Sequence, residues 1–158
     1  MDTDLDQTHE IGKYARTIRF IVPGRLEDVF LVGLGVRGIC SSLPLDPEAV
    51  YQVELSVVEA VNNAIRHAYR DREGHEVEVL VSLFPDRILF RVIDDGRGMD
   101  LESTPVFDFD PEDLEGLPEG GMGLHIIRSV MDRVEYASRG GRNILTMSKA
   151  FEKQEKPG

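Results

Sequence analysis

The sequence lacks the features that mark secreted, disulfide-bonded and membrane-spanning proteins. Its 158 residues include a single cysteine, Cys40, and no tryptophan. One cysteine cannot form an internal disulfide or a zinc site, so Cys40 is predicted to be a small core residue. No apolar run approaches the roughly 18 residues of a membrane span, and the acidic start at 1–6 is unlike a secretory signal. We therefore expect one compact domain in the cytoplasm.

Basic residues are also scarce. The chain has 18 Lys and Arg against 29 Asp and Glu, which gives a formal net charge of −11. This charge disfavours non-specific binding to nucleic acid or to anionic membranes. Between Met99 and Glu119 there is no lysine or arginine, and the carboxylates there are Asp100, Glu102, Asp108, Asp110, Glu112, Asp113, Glu115 and Glu119. We expect most of them to be solvated, and a basic protein partner could dock on this segment.

Hydrophobic periodicity predicts strands that alternate with helices. The strands are expected at 16–22, 76–84, 87–93, 134–137 and 143–149, and the helices at 26–42, 46–70 and 124–134. Three glycines in the first helix, Gly33, Gly35 and Gly38, each cost about 1 kcal/mol relative to alanine and would let another backbone approach closely. The hairpin at 76–93 and the closing strands predict an α+β fold. We expect a two-layer α/β sandwich with a mostly antiparallel mixed sheet and helices packed on one face.

A carboxylate and an amide lie one turn apart in the helix at 46–70. Glu59 and Asn63 are four residues apart, so their side chains are adjacent. The opposite face is an apolar stripe of Val50, Val53, Val57, Val61, Ala64 and Ala68. Such a pair suggests a nucleotide and metal site, but the helix alone fits a solvated outer face as well.

A buried carboxylate is predicted where the strand at 87–93 ends. Asp94 continues the face of Phe90 and Val92, and Gly96 and Gly98 follow it. A buried carboxylate is costly unless it accepts a hydrogen bond, which a ligand such as the exocyclic amino group of adenine could donate. The two glycines would let the chain turn tightly beside that ligand. The alternative is a simple turn after a strand.

A glycine-rich segment precedes the last predicted helix. Gly120, Gly121 and Gly123 stand directly before the apolar-periodic segment that begins at Leu124. Backbone amides at the start of a helix form a site for phosphate oxygens. The alternative for these glycines is a flexible linker.

In this order, the three segments resemble the N, G1 and G2 boxes of the GHKL (Bergerat-fold) ATPases, over about residues 12 to 150. The form Glu-Ala-Val-x-Asn-Ala-x-x-His-Ala-Tyr at 59–69 and the ending at 141–149 are similar to the anti-sigma-factor serine/threonine kinases of the SpoIIAB/RsbW type. The resemblance implies a flexible segment at 1–11, a GHKL ATP-binding kinase domain at 12–151 with an ATP lid at about 99–120, and a polar tail at 152–158.

The resemblance also implies a role for each matched residue. Asn63 would coordinate the magnesium that bridges the ATP phosphates, and Glu59 would be the general base for the attacking hydroxyl. Asp94 would accept a hydrogen bond from the adenine amino group, with a water held between it and Thr146. The other implied nucleotide-binding residues are His67, Gly96, Gly98, Gly121, Met122, Gly123 and Leu124.

The implied function is that of an ATP- and Mg²⁺-dependent protein serine/threonine kinase in transcription regulation and stress response. It would phosphorylate a STAS-domain anti-anti-sigma factor and, as a homodimer, sequester a sigma factor, without direct contact with nucleic acid or membrane. Because the lid is acidic, either backbone amides, Mg²⁺ and Arg97 or His125 neutralise the ATP phosphates, or the affinity for the nucleotide is low. Three alternatives stay open: a non-catalytic ATP-dependent binding module, a stand-alone ATPase, and a detached catalytic domain of a histidine kinase. For the last, we expect no room before Arg16 for the helical hairpin that carries the phosphorylated histidine.

Overall fold

The structure is a computed structural model that describes residues 16–68, 75–95 and 121–153. Within these residues the strands are β1 (Arg16–Pro23), β2 (Glu76–Leu83), β3 (Arg87–Asp94), β4 (Arg133–Arg139) and β5 (Arg142–Ala150). The α-helices are α1 (Val29–Cys40), α2 (Pro47–Asn63) and α3 (Gly121–Val130). The predicted N-terminal segment and ATP lid lie outside the described residues, so the division of the chain at 12 and 151 stays a prediction.

The five strands form one sheet in the order β1-β2-β3-β5-β4. All pairings between neighbouring strands are antiparallel. After β3 the chain returns through α3 to the edge strand β4, and β5 then inserts between β3 and β4. Gly140 and Gly141 turn the β4–β5 hairpin with φ values of 59° and 78°, a left-handed conformation that favours glycine.

One face of the sheet carries the hydrophobic core. Antiparallel pairing places side chains of β2, β3 and β5 side by side on this face, and the buried ones are Val77, Val79, Val81, Ile88, Phe90, Val92, Leu145 and Met147. Buried residues of all three helices belong to the same core. In the helix layer, α2 packs against α1 on one side and against α3 on the other. The predicted α+β sandwich is therefore confirmed.

The start of α2 follows from its first residues. The Asp46 carboxylate accepts a hydrogen bond of 2.7 Å from the backbone N–H of Ala49, and Pro47 occupies the first turn. The predicted start at 46 is confirmed. After Asn63 the backbone widens into a π-helix over Ala64–Ala68, a feature often found at functional sites. The predicted end near residue 70 lies outside the described residues.

The glycines of α1 allow close packing at two of three positions. A Cβ at Gly33 would lie 3.0 Å from Cγ2 of Val58, and one at Gly35 would lie 2.7 Å from Cε1 of Phe20. These glycines bring α1 close to α2 and β1, but the atoms that lie against them belong to side chains and not, as the sequence had suggested, to another backbone. At Gly38, no atom of the described residues would lie within 4 Å of a Cβ. Internal packing therefore does not require Gly38.

Cys40 is fully buried with a free thiol, as predicted. Burial raises the pKa of this thiol to about 12, and the Glu54 carboxylate contributes. The ordinary pKa of the thiol, 9.0, applies to the unfolded chain. The stability that the neutral thiol contributes is therefore intact below pH 9.0 and is lost as the pH rises towards about 12.

We expect Cys40 of the native protein to resist a disulfide thiol reagent at about pH 8, because the reacting species is the thiolate. The same thiol should react completely in denaturant. The check is the absorbance of the released chromophore with and without denaturant, and rapid labelling of the native protein would contradict a sealed core around Cys40.

No helix in the described part of the chain combines the length and the apolar character needed to cross a bilayer.

Candidate functional site

The first turn of α3 lies directly against the polar pair on α2. A Cβ at Gly123 would lie 2.8 Å from Oε2 of Glu59 and 3.3 Å from Nδ2 of Asn63. Only a residue without a side chain leaves this space open. The structure therefore brings together Glu59, Asn63 and Gly123, which the sequence placed in two separate segments.

Asn63 is a buried amide that has no hydrogen-bond partner among the described residues. The residue is 3% exposed, and neither Nδ2 nor Oδ1 of its side chain has a hydrogen-bond partner within the part of the chain that the structure describes. An unsatisfied buried polar group costs about 1–3 kcal/mol, so folded proteins rarely keep one without a purpose. For Asn63, the alternative of a solvated outer face is wrong, because α3 covers it. Glu59 is half-buried beside it.

The residues present fit a magnesium ion that is shared with a nucleotide. Oδ1 of Asn63 is an oxygen ligand of the kind that Mg²⁺ prefers, and Mg²⁺ takes few protein ligands beside phosphate and water oxygens. The described residues hold no group of three or more His, Cys, Asp or Glu side chains that could bind a metal. The unpartnered oxygen of Asn63 is the position at which such an ion would be held.

The glycine-rich segment begins α3 instead of preceding it. The helix runs over Gly121–Val130, so the predicted range of 124–134 is wrong at both ends. The last residues of the predicted range belong to β4, which starts at Arg133. The first four N–H groups of a helix have no partner within it, and here they belong to the residues from Gly121 to Leu124. The Leu124 side chain is buried in the core, so this residue can offer a ligand only its backbone.

Asp94 is buried at the end of β3, as the alternation predicted, and the residue is 9% exposed. Its Oδ1 accepts a hydrogen bond of 2.7 Å from Nδ2 of Asn143. Oδ1 of Asn143 in turn accepts a hydrogen bond of 2.7 Å from the Ser138 hydroxyl. The protein thus orients the Asp94 carboxylate through a polar chain from β4 to β3, and Asn143 is a site residue that the sequence did not reveal.

The prediction that Thr146 shares a water with Asp94 is wrong. Asn143 is the residue of β5 that pairs with Asp94, whereas Thr146 pairs with Arg91. Paired residues of an antiparallel sheet point to the same face, and faces alternate along a strand. Thr146 therefore lies on the face of the sheet that is opposite to Asp94 and to the helices.

Three further predicted residues stay predictions. Gly96 and Gly98 lie outside the described residues, as does the side chain of His67. The backbone of His67 belongs to the π-helix after Asn63, so the spacing of an α-helix does not fix its direction relative to Asn63. Gly121 and Met122 are described as backbone of α3 alone.

Comparison with known proteins gives a consistent result. The profile of the histidine kinase-like ATPase domain family matches residues 22–149. The serine-protein kinase RsbW of Oceanobacillus iheyensis is 32% identical over 141 residues, which are 87% of this chain and 89% of that protein. The RsbW kinases of Listeria monocytogenes and Halalkalibacterium halodurans are each 32% identical, over 84% and 88% of this chain and 87% and 86% of those proteins.

Two solved structures share the fold at low sequence identity. The RsbU and RsbW domains of a Mycobacterium tuberculosis protein superpose with a TM-score of 0.61 and 13% identity, over 90% of this chain and 35% of that chain. A blue-light activated histidine kinase of Erythrobacter litoralis gives a TM-score of 0.52 and 17% identity, over 80% of this chain and 60% of that chain. At these identities the likeness concerns the architecture.

Proposed function

Because the chain belongs to the histidine kinase-like ATPase family and, within it, to the serine-protein kinases of the RsbW type, we propose that it is an ATP- and Mg²⁺-dependent anti-sigma-factor kinase. It phosphorylates a serine or threonine of a STAS-domain anti-anti-sigma factor in the cytoplasm, and as a homodimer it holds a sigma factor inactive. The observation that carries the proposal is the buried, unpartnered Asn63 amide beside Glu59 at the first turn of α3.

In this proposal, Asn63, the first turn of α3 and Asp94 each bind a different part of the Mg-ATP complex. Asn63 would hold the Mg²⁺ through Oδ1, and the ion would neutralise charge on the ATP phosphates. The amides from Gly121 to Leu124 donate to phosphate oxygens at the positive end of α3. Asp94 accepts a hydrogen bond from the adenine amino group, and the bond from Asn143 fixes its orientation.

Glu59 acts on the proton of the substrate hydroxyl. The serine or threonine oxygen attacks the γ-phosphorus, the bond to the bridging oxygen of ADP breaks, and the hydroxyl proton passes to the Glu59 carboxylate. The position of Glu59 supports this role, because it lies one helical turn from Asn63 and against the start of α3. The protein takes little part in the covalent chemistry, so the positioning of the reactants supplies most of the rate enhancement.

The proposal is tested by incubating the purified chain with Mg-ATP and with the STAS-like and sigma-like proteins of its own genome. Intact-mass and peptide-mass spectra should show phosphate on a serine or threonine of the STAS-like protein. Binding of that protein without any transfer would support a non-catalytic binding module and contradict the kinase. ATP consumption that is equal with and without the protein substrate would identify an ATPase instead.

We expect Asp94→Asn to weaken ATP binding by about 10- to 100-fold, because a hydrogen bond to a charged group is lost from the adenine. The fold should survive, since the new amide oxygen can still accept the bond from Asn143. Asp86→Asn, an exposed change in the β2–β3 turn, is the matched control. The measurement is titration calorimetry with Mg-ATP, and an unchanged ATP affinity would exclude Asp94 from the adenine pocket.

We expect Gly123→Ala to abolish detectable ATP binding without loss of stability. The new methyl group occupies the space between α3 and the side chains of Glu59 and Asn63. Alanine favours a helix by about 1 kcal/mol over glycine, which offsets the movement of the flexible Glu59 carboxylate. Gly38→Ala makes the same change in open space on α1 and should bind ATP normally. Comparable ATP affinity in both variants would show that the space at Gly123 is not used.

A further inference from the structure

The sheet has a second face, opposite to the one that packs against the three helices and carries the core. Side chains alternate between the two faces along each strand, and the register fixes which residues share the second face. They are the odd-numbered residues of β1, β3 and β4 and the even-numbered residues of β2 and β5. We call this surface the open face, and the kinase site does not use it.

Arg91 lies at the centre of the open face, on the central strand β3. It pairs with Leu80 of β2 on one side and with Thr146 of β5 on the other, and Leu89 and Ile93 flank it along β3. Arg91 is half-buried, and its side chain makes no hydrogen bond or ion pair with another residue that the structure describes. A guanidinium has five donors and stays charged, so Arg91 is available to an acceptor on another molecule.

Aliphatic side chains make the open face apolar as well as basic. Leu80, Leu89 and Ile144 are half-buried, and Ile21 is 47% exposed. These four described residues neither belong to the hydrophobic core nor pack against it. An arginine set among aliphatic side chains is a combination typical of the energetic centre of a protein interface.

The charge of the open face is opposite to that of the chain. Its strand positions carry six arginines and three glutamates, whereas the chain has 18 Lys and Arg against 29 Asp and Glu. Two of these glutamates are paired within the face, Glu78 with Arg19 at 2.9 Å and Glu135 with Arg133 at 3.5 Å. The open face therefore attracts carboxylates that the rest of the chain repels.

This chemistry fits an acidic amphipathic helix better than a nucleic acid. Sheets are commonly covered by helices on both faces, so a helix is the element that completes the second layer here. Single-stranded nucleic acid needs aromatic side chains on which its bases stack, and the strand positions of the open face carry no aromatic residue. The net charge of −11 also disfavours a polyanion.

We propose that the open face binds an acidic amphipathic helix of a partner protein. The apolar stripe of that helix packs on Leu80, Leu89 and Ile144, and a carboxylate beside the stripe accepts two hydrogen bonds from Arg91. Asn63 and Gly123 lie on the other side of the sheet, so this partner binds without covering the nucleotide site. The proposal goes beyond the kinase function and does not depend on phosphoryl transfer.

A phage-displayed library of peptides that tile the proteins of the same genome identifies the partner segment. It is selected on the wild-type chain and, in parallel, on Arg91→Glu, which places a carboxylate at the centre of the open face. Peptides retained by the wild type alone should combine an apolar stripe of helical period with Asp or Glu beside it. Equal retention by both proteins, or retention of neutral or basic peptides alone, would overturn the proposal, as would the absence of any retained peptide. Enrichment of this chain's own peptides would replace the partner protein by a second copy.

Fluorescence anisotropy with the most enriched acidic peptide measures the contact with Arg91. Arg91→Glu should raise the dissociation constant at least about thirtyfold, and replacing the pairing Glu of the peptide by Arg should restore binding to this variant. Arg25→Glu makes the same charge change on the turn before α1 and should bind the peptide like the wild type. Peptide affinity that is independent of Arg91 would contradict the proposal.

Arg91→Gln separates an interface effect from a folding effect. It should weaken peptide binding at least about tenfold, because a hydrogen-bonded charge is lost. Its melting temperature and its ATP affinity should equal those of the wild type, because Arg91 has no partner among the described residues and faces away from Asn63. If the wild type bound oligouridine RNA and Arg91→Gln did not, the open face would belong to nucleic acid and the proposal would be wrong. Phosphate transfer is measured separately, so these outcomes leave the kinase assignment untouched.

Discussion

Glu59→Ala is expected to slow phosphoryl transfer by about 10²- to 10⁴-fold, the usual contribution of a positioned general base. ATP affinity should change little, because the proposed contacts to the nucleotide come from Asn63, Asp94 and the first turn of α3. The rate is measured as phosphate incorporated into the STAS-like substrate in a single turnover, and ATP affinity by calorimetry. The expected signature is a loss of rate without a loss of binding.

The same helix offers a control for this experiment. Glu48 lies in the first turn of α2 and is exposed, far along the helix from Glu59. Glu48→Ala should leave the transfer rate unchanged and cost a few tenths of a kcal/mol through the helix dipole. If the Glu59→Ala variant transfers phosphate at the wild-type rate, the Glu59 carboxylate is not the general base for the substrate hydroxyl.

Asn63→Ala is expected to weaken Mg-ATP binding by at least about 100-fold, because it removes the buried amide oxygen that is proposed to hold the ion against α3. Stability should move in the other direction. A buried amide without partners costs about 1–3 kcal/mol, and the small cavity left by alanine offsets part of that gain. We therefore expect a free energy of unfolding, measured in urea without nucleotide, that is unchanged or higher.

Asn62 is the matched control for Asn63. It is the preceding residue of α2, and the rotation of the helix turns it away from Asn63. Asn62→Ala should bind Mg-ATP normally. If Asn63→Ala destabilised the protein and still bound ATP with wild-type affinity, Asn63 would be a structural residue.

The sequence predicted correctly those features that depend on neighbouring residues alone, such as a helix cap or the buried face of a strand. The alternation of β3 predicted the burial of Asp94, and Asp46 with Pro47 predicted the start of α2, because a cap and a strand face depend on neighbouring residues. The start of α3 was misplaced because glycine has a low helix propensity, yet α3 begins at Gly121 and its first turn packs against α2 at Gly123.

Features that depend on distant pairing could not be read from the sequence. The partner of Asp94 is set by the register between β3 and β5, and that register selects Asn143 in place of Thr146. The burial of Asn63 likewise depends on α3 lying over a polar stripe that would otherwise be solvated. The resemblance to the GHKL family pointed to Asn63, Asp94 and Gly123, but it did not show that Gly123 lies against Asn63 or that Asn143 donates to Asp94.

The most direct test of the nucleotide and metal site is a crystal structure of the protein with Mn²⁺ and a non-hydrolysable ATP analogue. Manganese replaces magnesium at oxygen sites and can be located by its anomalous scattering. We expect an anomalous peak within about 2.2 Å of Oδ1 of Asn63, between α2 and the first turn of α3, with the phosphates on the amides of α3. A nucleotide bound elsewhere, or a metal that does not contact Asn63, would contradict the account.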